Sequence, residues 1–107
     1  MPVARRGEIW LIDLGYAAKV RPTVVLSIAF EDHERAIVTF VPRTTAPRGT
    51  RFEVPHQGPG FDPGVFDAQG IAGVPSAKLV RKLGVVNAQT MHAVEDAVIR
   101  WLGLPAP

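Results

Sequence analysis

Polar and apolar positions alternate at the ends of residues 8–14 (EIWLIDL), the period of a half-buried strand. Residues 15–20 form a loop of small residues with one lysine. Arg21-Pro22 enters a second strand over 23–28, rich in β-branched residues, and Pro22 holds Arg21 extended. A charged turn at 31–35 leads to a third strand at 36–41 (AIVTFV). Residues 42–50 are expected to be a loop and 51–54 a short fourth strand. Three glycines and three prolines between 55 and 64 predict another loop. Residues 65–74 read as one or two short strands broken at Gly70 and Gly73.

Helical signals begin near Pro75. Residues 76–83 fit two helical turns, with Leu79 and Leu83 inward and Lys78, Arg81 and Lys82 on a solvated outer face, closed by Gly84. After a short Val85-Val86 strand, Asn87 is a suitable N-cap for a helix reaching Leu102. Met91, Val94, Val98 and Trp101 make its apolar stripe, and Asp96 and Arg100 pair on the outside. Gly103 and Pro105 stop it. No repeat or second domain is visible, so residues 1–107 read as one domain. Many short strands followed by one good helix predict a mainly β fold with a C-terminal helix, a small antiparallel β-barrel or curled sheet.

Composition narrows the setting. Apolar residues make up 47% of the chain, enough for a globular core. No apolar run approaches the roughly 18 residues of a membrane span. The first residues lack the apolar stretch of a signal peptide, and there is no cysteine for a disulfide or thiolate metal site. A cytoplasmic location and no membrane are expected. The net charge is only +2, yet 43–51 carries three arginines and no acid, and 78–82 three cations and no acid. Local basic patches on a nearly neutral protein suit a polyanion held at one face.

Candidate chemistry concentrates in two segments about 20 residues apart, KVRPTVVLS and VPRTTAPRGTRF. They offer Arg21 on one side and Arg43, Thr44, Thr45, Arg48 and Arg51 on the other. Arginine forks and hydroxyls in one pocket can hold a phosphodiester without a metal. No metal site is expected, since His33, His56 and His92 show no ligand spacing. His56 is expected in a solvated loop, and Trp10 and Trp101 in the core. Residues 58–64 hold no phosphate-loop pattern, and Ser27 no nucleophile elbow.

The order of these segments resembles the PemK/MazF family of toxin ribonucleases from bacterial toxin–antitoxin pairs. RRGEIWLIDLG is similar to the family's first strand, RPTVVLS to its second, VPRTT to its P-x-T-[ST] segment, and KLVRKLGVVNAQTMHAVEDAVIRWLGL to its tail. The resemblance implies an SH3-like barrel of the CcdB/PemK type, a homodimer, a cognate antitoxin and no cofactor. It implies metal-independent cleavage of single-stranded RNA to 2′,3′-cyclic phosphate and 5′-hydroxyl ends. The family's catalytic arginine falls on Arg21 and its catalytic threonine on Thr44. Lys19, Arg43, Thr45, Arg48, Arg51 and Gln69 are the expected RNA contacts. One departure stands out: many members carry Gln-Ile-Arg-Thr where Gln69 is followed here by Gly70-Ile71-Ala72-Gly73. Two other readings remain. One is a gyrase poison of the CcdB type acting through Trp101-Leu102-Gly103-Leu104. The other is a member that binds RNA without cutting it.

Overall fold

The computed structural model describes residues 3–15 and 19–105. Seven strands precede one helix among them: β1 (Glu8–Asp13), β2 (Val20–Val25), β3 (Ile37–Thr44), β4 (Glu53–Gly58), β5 (Phe61–Asp67), β6 (Ala72–Pro75), β7 (Leu79–Val85) and α1 (Ala88–Leu102). The spatial order is β4-β5-β3-β2-β1-β7, every pairing antiparallel, with β6 on the first half of β3. β3 therefore changes partner along one edge, from β6 opposite Ile37–Phe40 to β5 opposite Arg43 and Thr44. The short 3-10 turn Ala68–Gly70 takes up the slack between β5 and β6. The result is the expected mainly β fold, a curled sheet with one C-terminal helix.

Two apolar clusters lie on the two faces of the sheet. Ile9, Val24, Val41, Phe66 and neighbours pack against Val94, Ala97 and Val98 of α1. Trp10, Ile12, Val25, Val38, Phe40 and Leu79 form the second. Cross-strand partners keep to one face: Val24 opposite Val41 in the first cluster, Val25 opposite Phe40 in the second. Trp10 is buried as expected, and its indole nitrogen donates to Glu8 Oε1 at 3.0 Å while Lys82 holds Glu8 Oε2 at 2.8 Å.

The helix follows the sequence pattern. Asn87 Oδ1 accepts the Thr90 amide at 2.8 Å, and Gly103, in the left-handed conformation, ends the last turn. Trp101 differs. It is 42% exposed and rests edge-on against Phe52, with ring centroids 5.3 Å apart, instead of entering the core. The Arg100 Nε reaches the Asp96 backbone carbonyl at 3.4 Å, not its carboxylate.

Three local expectations are corrected. Residues 76–83 form no helix: after the 3-10 turn Ser76–Lys78, Leu79–Val85 is a strand paired with β1. Pairing with an otherwise open edge outweighs the helical spacing. Two register shifts against β1 break the alternation, so Leu79 and Leu83, four residues apart, reach different clusters. The predicted loop at 55–64 is instead the β4–β5 hairpin. Its prolines are tolerated because β4 is an edge strand and Pro63 lies beyond the two β5 residues that pair with β3. Finally, β3 continues through Pro42, Arg43 and Thr44, which were expected in a loop, and β2 begins at Val20, before Arg21.

Candidate active site

Strand register places the two central residues. Thr23 lies opposite Pro42, Val24 opposite Val41 and Val25 opposite Phe40. The ladder ends there, and Arg21 and Thr44 lie two residues beyond its last pair, at the same end of their strands. Directly opposed residues of an antiparallel pair share a face, and Thr23, two residues from Arg21, and Pro42, two from Thr44, are such a pair. Arg21 itself lies opposite Ile12 of β1, a fully buried member of the second cluster. The site is thus the polar end of an apolar face, where the sheet curls open to solvent.

Two adjoining cavities meet there. One, of about 340 Å³, is lined by Leu14, Arg21, Pro42, Arg43, Thr44, Ala46, Arg48, Glu53 and Asp67. The other, of about 480 Å³, shares Arg21, Arg43, Thr44 and Ala46 and adds Lys19 and Thr45. Thr44 Oγ1 accepts the Ala46 amide at 3.0 Å, so its own proton is left to donate. Arg21 is exposed, with its planar fork available to an anion. Lys19 has φ of 54°, uncommon outside glycine, and its backbone closes the preceding loop through Leu14 N–H and Gly15 O.

The acidic wall, Glu53 and Asp67, was not singled out from the sequence. Glu53 accepts the amides of Arg48, Gly49 and Thr50 at 2.7 to 3.0 Å. The Arg48 amide first, and then those of Gly49 and Thr50, hold its carboxyl below the ordinary value of 4.5. This carboxylate orders the loop that carries Arg48. The Thr50-x-x-Glu53 spacing is the sequence signal that could have revealed it, since it matches a capping box. Asp67 accepts the Gln69 amide at 3.1 Å.

Not every expected contact reaches the cavities. Arg51 lies over the Phe52 ring, 4.7 Å from its centroid, beside Trp101. Gln69 is exposed on the turn after Asp67 and lines neither cavity. Arg43 borders both cavities but departs furthest from expectation, because it is 4% exposed. Its Nε donates to His56 Nδ1 at 2.9 Å, and one terminal nitrogen donates to the backbone carbonyls of His56, at 3.0 Å, and Asp62. It is a fixed member of the fold, not a free surface cation. His56, expected in a solvated loop, is half-buried in β4 between Phe61 and Phe66. Burial first, and then the Arg43 charge, push its pKa below 6.5. Gly64 of β5 makes this packing possible: a Cβ there would sit 2.6 Å from the Thr44 carbonyl oxygen and 2.9 Å from an Arg43 nitrogen.

Fold and site together define a small curled-sheet protein with a basic, hydroxyl-bearing pocket at the β2–β3 edge. The family model of PemK-like, MazF-like toxins of type II toxin–antitoxin systems matches residues 5–102, and the chain belongs to that family. Two relatives are the endoribonucleases MazF4 of Mycobacterium tuberculosis and MazF1 of Mycobacterium bovis. Each is 35% identical over 107 positions, covering 95% of this chain and 95% of the relative. A solved endoribonuclease in complex with its cognate antitoxin, from a mycobacterial species, superposes with a TM-score of 0.82 at 29% identity, covering 97% of this chain and 99% of that one.

Proposed function

We propose that this chain is the endoribonuclease toxin of a toxin–antitoxin pair and that Arg21 and Thr44 carry the cleavage of single-stranded RNA. The meeting of Arg21 and Thr44 in the lining of one cavity at the end of the β2–β3 ladder is the observation that supports this most. In the proposed reaction the ribose 2′-hydroxyl attacks the adjacent phosphorus. The 2′-oxygen–phosphorus bond forms as the bond to the 5′-oxygen breaks; the 2′-hydroxyl loses its proton and the departing oxygen gains one. Negative charge builds on the non-bridging oxygens. The Arg21 fork meets two of these oxygens and the Thr44 hydroxyl adds a third bond, strongest where charge is greatest. Lys19, Thr45 and Arg48, on the cavity rims, hold the flanking phosphates.

The working form in this reading is a homodimer in the cytoplasm, held off by its antitoxin. Exposed Ile28, Val80, Leu102 and Leu104 supply apolar surface for such contacts. The partial exposure of Trp101 is the one feature that favours a gyrase poison. That reading leaves the Arg21–Thr44 cavity without a purpose.

The test is digestion of single-stranded RNA in excess chelator, with the product ends identified. Cleavage should persist and leave 2′,3′-cyclic phosphate and 5′-hydroxyl ends. Activity that vanishes in chelator and returns with magnesium would overturn the mechanism.

A further inference from the structure

We propose that Arg43 and His56 form a clasp that positions Thr44 for catalysis and that opens when His56 takes up a proton. The proposal rests on the catalytic reading of Thr44 given above. Arg43 is the residue immediately before Thr44 on β3. Its guanidinium crosses behind the site and ties three strands together: its own, β4 through the His56 ring and carbonyl, and β5 through the Asp62 carbonyl. Its carbon centre stacks 5.1 Å from the Phe61 ring centroid, and Phe61 and Phe66 hold the His56 ring at 5.2 and 4.8 Å. The β3–β5 ladder beside Thr44 is short, pairing only Arg43 with Phe66 and Thr44 with Val65. The clasp is therefore a large part of what fixes this end of β3.

The bond from Arg43 Nε requires an unprotonated Nδ1, so the imidazole must be neutral with its proton on Nε2. A second proton would remove the acceptor and set two cations together. The groups facing His56 from other strands are Arg43 and, through Arg43, the Asp62 carboxylate. On the other side lies a cavity of about 380 Å³, lined along β7, the β7–α1 link and the start of α1 by Leu83, Val86, Asn87 and Thr90, with no titratable side chain other than His56. Nothing there would compensate a charged imidazole. The depressed pKa of His56 agrees with this geometry.

Three forms are compared: wild type, His56→Asn, which keeps a non-titrating acceptor near the Nδ1 position, and His56→Phe, which keeps only the ring. Single-turnover RNA cleavage is followed from pH 5 to 9, and the His56 ring and Thr44 amide are followed by NMR in the wild type and His56→Asn. The wild-type rate should fall on acidification below pH about 6.5 with the midpoint of His56. His56→Asn should cleave within about twofold of wild type at pH 8 and lose that acid fall. His56→Phe should lose roughly 10- to 100-fold in rate at every pH with little change in KM, as misplaced catalytic groups do. The Thr44 amide should titrate with His56 in the wild type and stay flat in His56→Asn. A His56→Asn profile that superimposes on wild type, or a Thr44 amide blind to His56, would overturn the clasp. The NMR arm judges the clasp without cleavage, so wild-type activity in Thr44→Val would sink the catalytic reading alone.

Discussion

Arg21 and Thr44 are asked to do different amounts of one task. Arg21 presents two parallel donors, and Thr44 one. Arg21→Lys keeps the charge but loses the planar pair, so it should remain badly impaired. Thr44→Val keeps the shape and loses the hydroxyl. It should cost about an order of magnitude less than Arg21→Ala, in single-turnover rates. The double variant should lose less than the product of the two, because both donors serve one transition state. In the proposed reading Arg48 serves binding: Arg48→Ala should weaken RNA uniformly and reduce the salt slope by about 0.7, the value for one phosphate contact to a single strand. An unchanged slope would remove Arg48 from the interface. At this scale the meeting of Arg21 and Thr44 in one pocket was legible in the sequence, because the segments RPTVVLS and VPRTT carry them. The fate of Arg43 was not legible. An arginine between Pro42 and Thr44 looks like surface charge until His56 and Asp62, brought in by a distant hairpin, take up its donors.

Among the elements, β3 decides the site. Its last residues carry Thr44, and β5 approaches them so closely that only glycine fits at position 64. Gly64→Ala would drive a methyl group onto the Thr44 carbonyl. It should lower both stability and cleavage, the stability loss being about 1–3 kcal/mol by denaturant melting; full retention of both would show that the strands can part. In α1, Asn87→Ala should cost about 1 kcal/mol by removing the cap on the Thr90 amide. Trp101→Ala should cost roughly half the 3–5 kcal/mol of a fully buried aromatic, because the residue is 42% exposed. The helix was legible because cap, stripe and stop agree. Strand β7 was not, because Leu79 and Leu83 fit a helical period and nothing local reports the open edge of β1. The β4–β5 hairpin was hidden by its prolines, harmless only where no ladder partner needs their N–H.

For the whole molecule, pH should act in two windows. His56 holds its proton less tightly folded than unfolded, so the unfolded chain binds more protons below about pH 6.5 and stability falls as pH drops through that range. Glu8 behaves in the second window: burial pushes it up, but the Lys82, Trp10 and Arg5 bonds outweigh this and leave it below 4.5. With Glu53, also depressed, it contributes stability present above that value and lost below it. Thermal melts against pH should show both losses, and His56→Asn should remove only the first. A melt independent of pH between 5 and 7 would contradict the His56 assignment. Sedimentation should find a dimer at tens of micromolar. The curled sheet with its terminal helix was legible from the strand-then-helix order, whereas the cavity shared by Arg21 and Thr44 depends on a β2–β3 register that no local pattern encodes. The central claim, that Arg21 meets the phosphate charge in an open cavity, is tested most directly by single-turnover cleavage of single-stranded RNA with folded Arg21→Ala protein in chelator. A loss of about 10²–10³-fold or more at unchanged fold is the predicted result. Cleavage at the wild-type rate would contradict it.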